Sequence, residues 1–251
     1  EAVATVTAAR AAGIDNLNLD LIYGLPTQTL AQWHATLHTA VALNPQHLSL
    51  YGLSVEEGTL LEERIASGAC PAPDDELAAE MYEMAEELLD NAGYAHYEIS
   101  NWALRSPGDP GDDDAPPALA CRHNLGYWRN EAYLGLGVAA HSYDLRCRTA
   151  NTTDLEDYLA RLRAGEAATV SSEPTDRARE LGETMMLGLR LVSGVSWEAF
   201  EARFGIGLLS IYAREVQALC DDGLLAVDAR GIRLTRTGRL LGNRVFAQFL
   251  R

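Results

Sequence analysis

Lysine is absent from this chain, and all twenty of its basic residues are arginine, a pattern that codon bias accounts for without any special chemistry. Cysteine is scarce. Cys70, Cys121, Cys147 and Cys220 stand at wide, unequal intervals with no close pair, which excludes a dithiol motif or a Cys-x-x-Cys zinc site and predicts ordinary reduced thiols. No apolar run approaches the roughly 20 residues that a membrane-spanning helix needs. The opening stretch, Glu1 to Val6, lacks the basic end and apolar core of a signal peptide, so a soluble, cytoplasmic protein is expected. Basic charge is also short, at 20 residues against 36 acids for a net −16. A chain so acidic is not expected to bind nucleic acid over its whole surface, because phosphate contacts need a basic face. The deficit is uneven: residues 1–174 carry 9 Arg against 27 acids (−18), whereas residues 175–251 carry 11 Arg against 9 acids (+2).

What is present is ample for a core, with 47% hydrophobic residues in 251. Residues 2–12 read as an Ala-rich helix closed by Gly13. Residues 16–26 read as a strand stopped by Gly24 and Pro26, and Thr29 with Gln32 makes a capping box for a helix over 30–43. His47 to Ser54 forms the next strand. Helix, strand, helix, strand with short links predicts parallel α/β architecture, with functional groups at the carboxyl ends of the strands. Asp20 stands in an otherwise apolar strand, either as a ligand contact or as a buried acid satisfied by backbone amides or Asn18.

A helix over 74–92 leads to Tyr94–Trp102, which alternates like a single strand with one wet face. Residues 106–118 hold four Pro, two Gly and four Asp and read as a mobile loop, either a flap over the segment beginning at Cys121 or a neutral surface insertion. That segment reads Cys121-Arg122-His123-Asn124-Leu125-Gly126-Tyr127-Trp128. Its imidazole ligates iron or moves protons, its Arg pairs with carboxylates, and its aromatics offer apolar faces with polar edges. Such a set suits a flat ligand such as a porphyrin with its propionates, or a metal; alternatively it is a surface loop whose aromatics pack on the domain. In Leu134-Gly135-Leu136-Gly137-Val138, Gly-x-Gly without a third Gly and a following helix is a weak dinucleotide signal, so the small residues are expected to allow close backbone approach to a flat ligand or a neighbouring strand. His141 either faces such a ligand or is a satisfied buried histidine.

Asp154 caps a helix that Gly165 ends, and Thr175 opens another. Met185 and Met186 read as core filler. Helices near 197–203 and 208–221, strands over 224–227 and 232–235, and a final helix have the plan of a winged helix, with Arg230, Arg233, Arg236, Arg239 and Arg244 on its wing and last helix. A DNA-binding or scaffolding module is therefore one alternative, weakened by the acidic bulk and by the lack of a helix dense in base-reading side chains.

Asn18-Leu19-Asp20-Leu21-Ile22-Tyr23-Gly24-Leu25-Pro26 with Gln28-Thr29, Leu50 to Thr59, Tyr97 to Trp102, His123-Asn124-x-x-Tyr127-Trp128 and Asn243-Arg244-Val245-Phe246 together closely resemble the HemW haem chaperones, over essentially the whole length. These belong to the radical S-adenosylmethionine superfamily and are relatives of oxygen-independent coproporphyrinogen III oxidase. The resemblance implies the later part of a partial (β/α) barrel over 1–70, an α/β extension over 71–170 and a winged-helix-like domain over 171–251. It implies haem and S-adenosylmethionine as ligands, and a [4Fe-4S] cluster on three closely spaced cysteines that this chain lacks, so the chain looks like part of a longer protein. Asp20 matches an S-adenosylmethionine contact of the oxidase relatives, and Ser54 and His141 fall where those relatives also contact it. His123, Asn124, Tyr127 and Trp128 match the motif linked with haem, with His123 as the expected iron ligand. Acceptor haem proteins, and transiently membrane-bound haem enzymes, are the implied partners. The alternative within the superfamily, an oxidase of porphyrin biosynthesis, differs at Tyr97–Trp102 and lacks the His-Asn-x-x-Tyr-Trp signature; no oxidase turnover is expected of this chain, which detection of protoporphyrinogen by mass spectrometry would contradict.

Overall fold

The computed structural model describes residues 1–109 and 115–250, which divide into two compact units, Glu1–Ala120 and one beginning at Cys121. In the first, helix α1 (Ala2–Ala11) precedes strand β1 (Asn18–Tyr23), helix α2 (Leu30–Ala42), strand β2 (His47–Gly52), the short helix α3 (Leu60–Ala66), helix α4 (Asp75–Asn91) and strands β3 (Tyr94–Glu98) and β4 (Asn101–Leu104). Local rules build the long helices. Both halves of the expected capping box form at α2, with Thr29 Oγ1 accepting from Gln32 N and Gln32 Oε1 accepting from Thr29 N. Asp74 caps α4 by accepting from the amides of Glu76 and Leu77.

The sheet order is β1-β2-β4-β3, and only β1 and β2 run parallel. The expectation of one strand over Tyr94–Trp102 is corrected: this stretch turns at Ile99 and Ser100 into a hairpin with a register shift between His96 and Glu98. Its apolar alternation belongs to two strands that face one core. Trp33 and Leu37 of α2, Met81, Ala85 and Leu89 of α4, and Leu48, Leu50, Tyr94 and Trp102 of the sheet form that core on one face. Asn18, Asp20 and Ile22 lie on the other face and are exposed.

In the second unit helix α5 (Arg122–Trp128) precedes strands β5 (His141–Tyr143) and β6 (Cys147–Asn151), helix α6 (Leu155–Ala164), strand β7 (Thr169–Pro174) and helix α7 (Arg177–Gly188). Asp154 and the left-handed Gly165 bound α6 where expected. Strand β8 (Val195–Ser196), helices α8 (Trp197–Phe204) and α9 (Leu209–Asp221), strands β9 (Leu225–Val227) and β10 (Gly231–Leu234), and short helices α10 (Arg236–Leu240) and α11 (Gly242–Phe246) complete the chain. Strands β8-β10-β9 form the antiparallel sheet of the expected winged helix, and β5-β6-β7 form a second antiparallel sheet. Strand pairing crosses both boundaries expected from sequence: β2 bonds to β4 across residue 70, and β7, paired with β6, straddles residue 170. The expected flap over 106–118 falls partly outside the described residues. On the described flanks Asp109 accepts from the amides of Ser106 and Ala118. Among the described residues no helix is long and apolar enough to cross a membrane.

Candidate functional site

The expected site residues fall in both units. In the first, Asp20 occupies the middle of β1, and Ser54 lies just past the end of β2; both are exposed. The alternative of a costly buried acid at Asp20 is thereby corrected, because β1 turns Leu19, Leu21 and Tyr23 to the core and Asp20 to the opposite face. Its partner is the one anticipated, Asn18, whose Nδ2 donates to Asp20 Oδ1 at 2.7 Å. Strand register explains what sequence inspection missed: Asn18 pairs with His47 and Asp20 with Ser49, so buried polar side chains of β2 share the face of Asp20. The Nδ1 of His47 lies 2.7 Å from Asn18 Oδ1, its Nε2 lies 2.7 Å from the Tyr97 hydroxyl, and Ser49 Oγ donates to Asn18 Oδ1 at 3.2 Å. Burial holds the His47 imidazole down at about 4, against the opposing pull of Asp20.

In the second unit the eight-residue stretch, one reading of which is a loop, is helical from Arg122 to Trp128. That sets His123 and Tyr127 on one face and Asn124 and Trp128 on the next. His123 is exposed, its ring 4.8 Å from that of Tyr127, which in turn meets Tyr133 edge-on at 4.7 Å. Trp128 is placed differently from Tyr127: the Arg190 guanidinium lies 4.4 Å over its ring and approaches Phe246 at 5.8 Å. The Nε1 of Trp128 is buried with no hydrogen-bond partner among the described residues. A cleft of about 300 Å³ opens beside them, lined by Tyr127, Trp128, Tyr133, Arg148, Glu183 and Met186.

Arg148, Glu183 and Glu131 are the charged groups of this wall that sequence inspection missed. Arg148 donates to Glu183 through Nε and Nη2, at 3.0 and 2.7 Å, and to Asn130 Oδ1 at 2.9 Å. Arg179 holds the other Glu183 oxygen at 2.8 Å. Burial alone would raise the Glu183 carboxyl, but the hydrogen bonds from Arg148 and Arg179 outweigh it and hold the group below its ordinary range.

His141 opens β5 and is exposed, so the alternative of a buried histidine is corrected. The role of Gly135 is close approach to a neighbouring strand: a Cβ there would collide with the carbonyl of His141. Gly135→Ala is expected to destabilise the chain by about 1–3 kcal/mol, since backbone on both sides must move. A thermal melt within error of the parent would show that the segment relaxes freely.

Neighbours known from other proteins now bear on these residues. Residues 174–241 match the HemN C-terminal domain family. Haem chaperone HemW of Bacillus subtilis is 34% identical over 96% of this chain, and that of Mycobacterium tuberculosis is 35% identical over 99%. The chain is a partial-length HemW homologue. It spans 61% of the Bacillus subtilis protein and 59% of the Mycobacterium tuberculosis one. A mitochondrial radical S-adenosyl methionine domain-containing protein 1 of Bos taurus is 32% identical over 95% of the chain, which covers 54% of that relative. Coproporphyrinogen III oxidase (HemN) of Escherichia coli, a radical SAM enzyme, superposes with a TM-score of 0.75 over 99% of this chain and 58% of its own, at 24% identity. That likeness establishes the fold of the HemW homologue as the corresponding portion of the oxidase fold.

The family implies S-adenosylmethionine, a [4Fe-4S] cluster and haem. The cluster does not fit this portion, since its four cysteines are separate thiols and no group of three or more His, Cys, Asp and Glu among the described residues is placed to hold a metal ion. In the first unit the exposed Asp20 carboxylate, bonded by Asn18 beside it on the same face of β1, has the acceptor chemistry that S-adenosylmethionine would use.

Proposed function

We propose that the chain is part of a haem chaperone that binds haem and delivers it to acceptor haem proteins, and whose complete form also carries S-adenosylmethionine and a [4Fe-4S] cluster. The observation that carries this reading is the exposed His123 at the end of the edge-to-face row His123–Tyr127–Tyr133, presented by α5 in a HemW homologue. An accessible imidazole gives haem iron one axial ligand, and ring edges beside an apolar cleft grip part of the macrocycle while leaving it exposed for transfer. Asn124 and Trp128 form the second face of α5, with one side of Trp128 taken by Arg190. The cleft sits at the low end of the roughly 300–1,000 Å³ of small-molecule sites, which suits an edge of the ring better than its whole.

In the other unit Asp20 would accept hydrogen bonds from S-adenosylmethionine, with Ser54 beyond the end of the neighbouring strand. Bound there, the cofactor would supply its sulfonium chemistry, while the chain's part is to bind and orient it. Contact with membrane-bound haem enzymes is part of this reading, as is a cytoplasmic site of action. Nucleic acid is not a partner in it: the net charge of −16 repels a phosphate backbone, and on the wing and last helix Arg233 pairs with Asp228 and Arg244 donates to Asp222 at 2.7 Å.

Haemin titration followed by absorbance tests the proposal. A saturable Soret shift is expected, weakened at least about tenfold in His123→Ala. The exposed pair His34 and His38, with Nε2 atoms 3.2 Å apart on α2, is the control: the double alanine variant keeps the shift. An unchanged His123→Ala titration removes that residue from the haem site, and no shift with the parent chain removes haem binding from this portion.

A further inference from the structure

We infer that Tyr97, His47 and Asn18 form a positioning relay with a fixed direction, which aims the Asp20 carboxylate at hydrogen-bond donors of a polar ligand. The inference rests on the reading of Asp20 as an S-adenosylmethionine contact, but its geometry lies wholly within the first unit. Asn18 is the hinge of the relay. Its two side-chain heavy atoms face different partners: one lies 2.7 Å from Asp20 Oδ1, the other 2.7 Å from His47 Nδ1 and 3.2 Å from Ser49 Oγ. An ionised carboxylate only accepts, so the atom facing Asp20 is Nδ2, a donor. The atom facing His47 is then Oδ1, an acceptor, and His47 carries its proton on Nδ1. Its Nε2 is left as a lone pair and accepts from the Tyr97 hydroxyl at 2.7 Å.

The direction is thus set at the Asp20 end, because the Tyr97 hydroxyl can either donate or accept. Reversing it would put Asn18 Oδ1 against Asp20, and two acceptors at that distance repel unless the carboxyl is protonated. His47, Ser49 and Tyr97 are buried while Asp20 is exposed, so the relay forms the dry backing of a wet carboxylate. Low surrounding polarity strengthens the buried bond between His47 and Tyr97 and makes an unpaired group there costly. A neutral imidazole is what the relay requires, and burial keeps His47 neutral. None of the three needs to touch the ligand: they act through Asp20.

The test is two measurements on the full chain. Long-range ¹H–¹⁵N spectra of histidine-labelled protein should show His47 as a single neutral tautomer with its proton on Nδ1 from pH 6 to 8. A proton on Nε2 would overturn the relay outright. Calorimetric titration with S-adenosylhomocysteine should show Tyr97→Phe weakening binding about three- to tenfold, the size of one lost hydrogen bond, while Asn18 Oδ1 still holds the His47 proton on Nδ1. Equal affinity in Tyr97→Phe, with folding verified by circular dichroism, would overturn the positioning role. Asp20→Ala separates the two readings: unchanged affinity there, or no binding by the parent chain, defeats the assignment of Asp20 to this cofactor and leaves the tautomer result to judge the relay.

Discussion

Glu183→Ala is expected to lower the unfolding free energy of the second unit by about 2–3 kcal/mol, because it removes the carboxylate that pairs the half-buried Arg148 guanidinium. Glu183 is 8% exposed and fills both carboxylate oxygens with arginine, Arg148 from β6 and Arg179 from its own helix. Arg148 also lies 4.0 Å over the Tyr143 ring and donates to Asn130, while Arg203 donates to the carbonyls of Arg129 and Asn130. The pair therefore ties the β5-β6-β7 sheet and the end of α5 to α7. Thermal denaturation should fall by on the order of 10 °C. A loss under about 1 kcal/mol would show that water reaches the freed guanidinium and that the pair is a surface interaction. The sign of the pH dependence comes from the depressed carboxyl: this stabilisation is present in full above the unfolded-state carboxylate range and disappears as pH falls through the lower folded value. Glu183→Ala should remove that acid-side slope along with the stability.

Trp33→Ala is expected to cost the first unit about 3–5 kcal/mol through the cavity it leaves. The ring is fully buried between α2 and the sheet, 5.5 Å from Tyr23, and its Nε1 donates to the Met81 carbonyl at 2.8 Å, which ties α2 to α4. Trp33→Phe separates the two contributions: it keeps most of the volume and loses the hydrogen bond, so a loss of about 1–2 kcal/mol is expected. Urea unfolding followed by circular dichroism measures both. Equal losses in the two variants would mean that the bond to Met81, not the packing, dominates.

Legibility tracked sequence distance. The boundaries of α6, set by Asp154 and Gly165, and the cap of α2, set by Thr29 and Gln32, were readable because their partners lie within four residues. Helix α5 had no such signal: the side chain of its N-cap, Cys121, does not cap the helix, and seven residues carry little period. The hairpin of β3 and β4 was hidden because two short strands facing one core alternate like one long strand. The haem-linked motif was legible as residue types, and the sheet β5-β6-β7 was not, because its pairings span residues 141–174 and need tertiary contact to form.

Composition, caps and motif spacing by themselves determined the long helices α2, α4 and α6, the acidic and weakly basic halves of the chain, the winged-helix plan and the HemW resemblance. Tertiary structure decided which way Asp20 faces, that His47 and Tyr97 stand behind it, and that Arg148 is neutralised by a glutamate 35 residues away. The division is physical. A helix closes its hydrogen bonds within four residues and so writes itself locally, whereas strand register and buried charge pairing depend on which distant segments the hydrophobic core brings together.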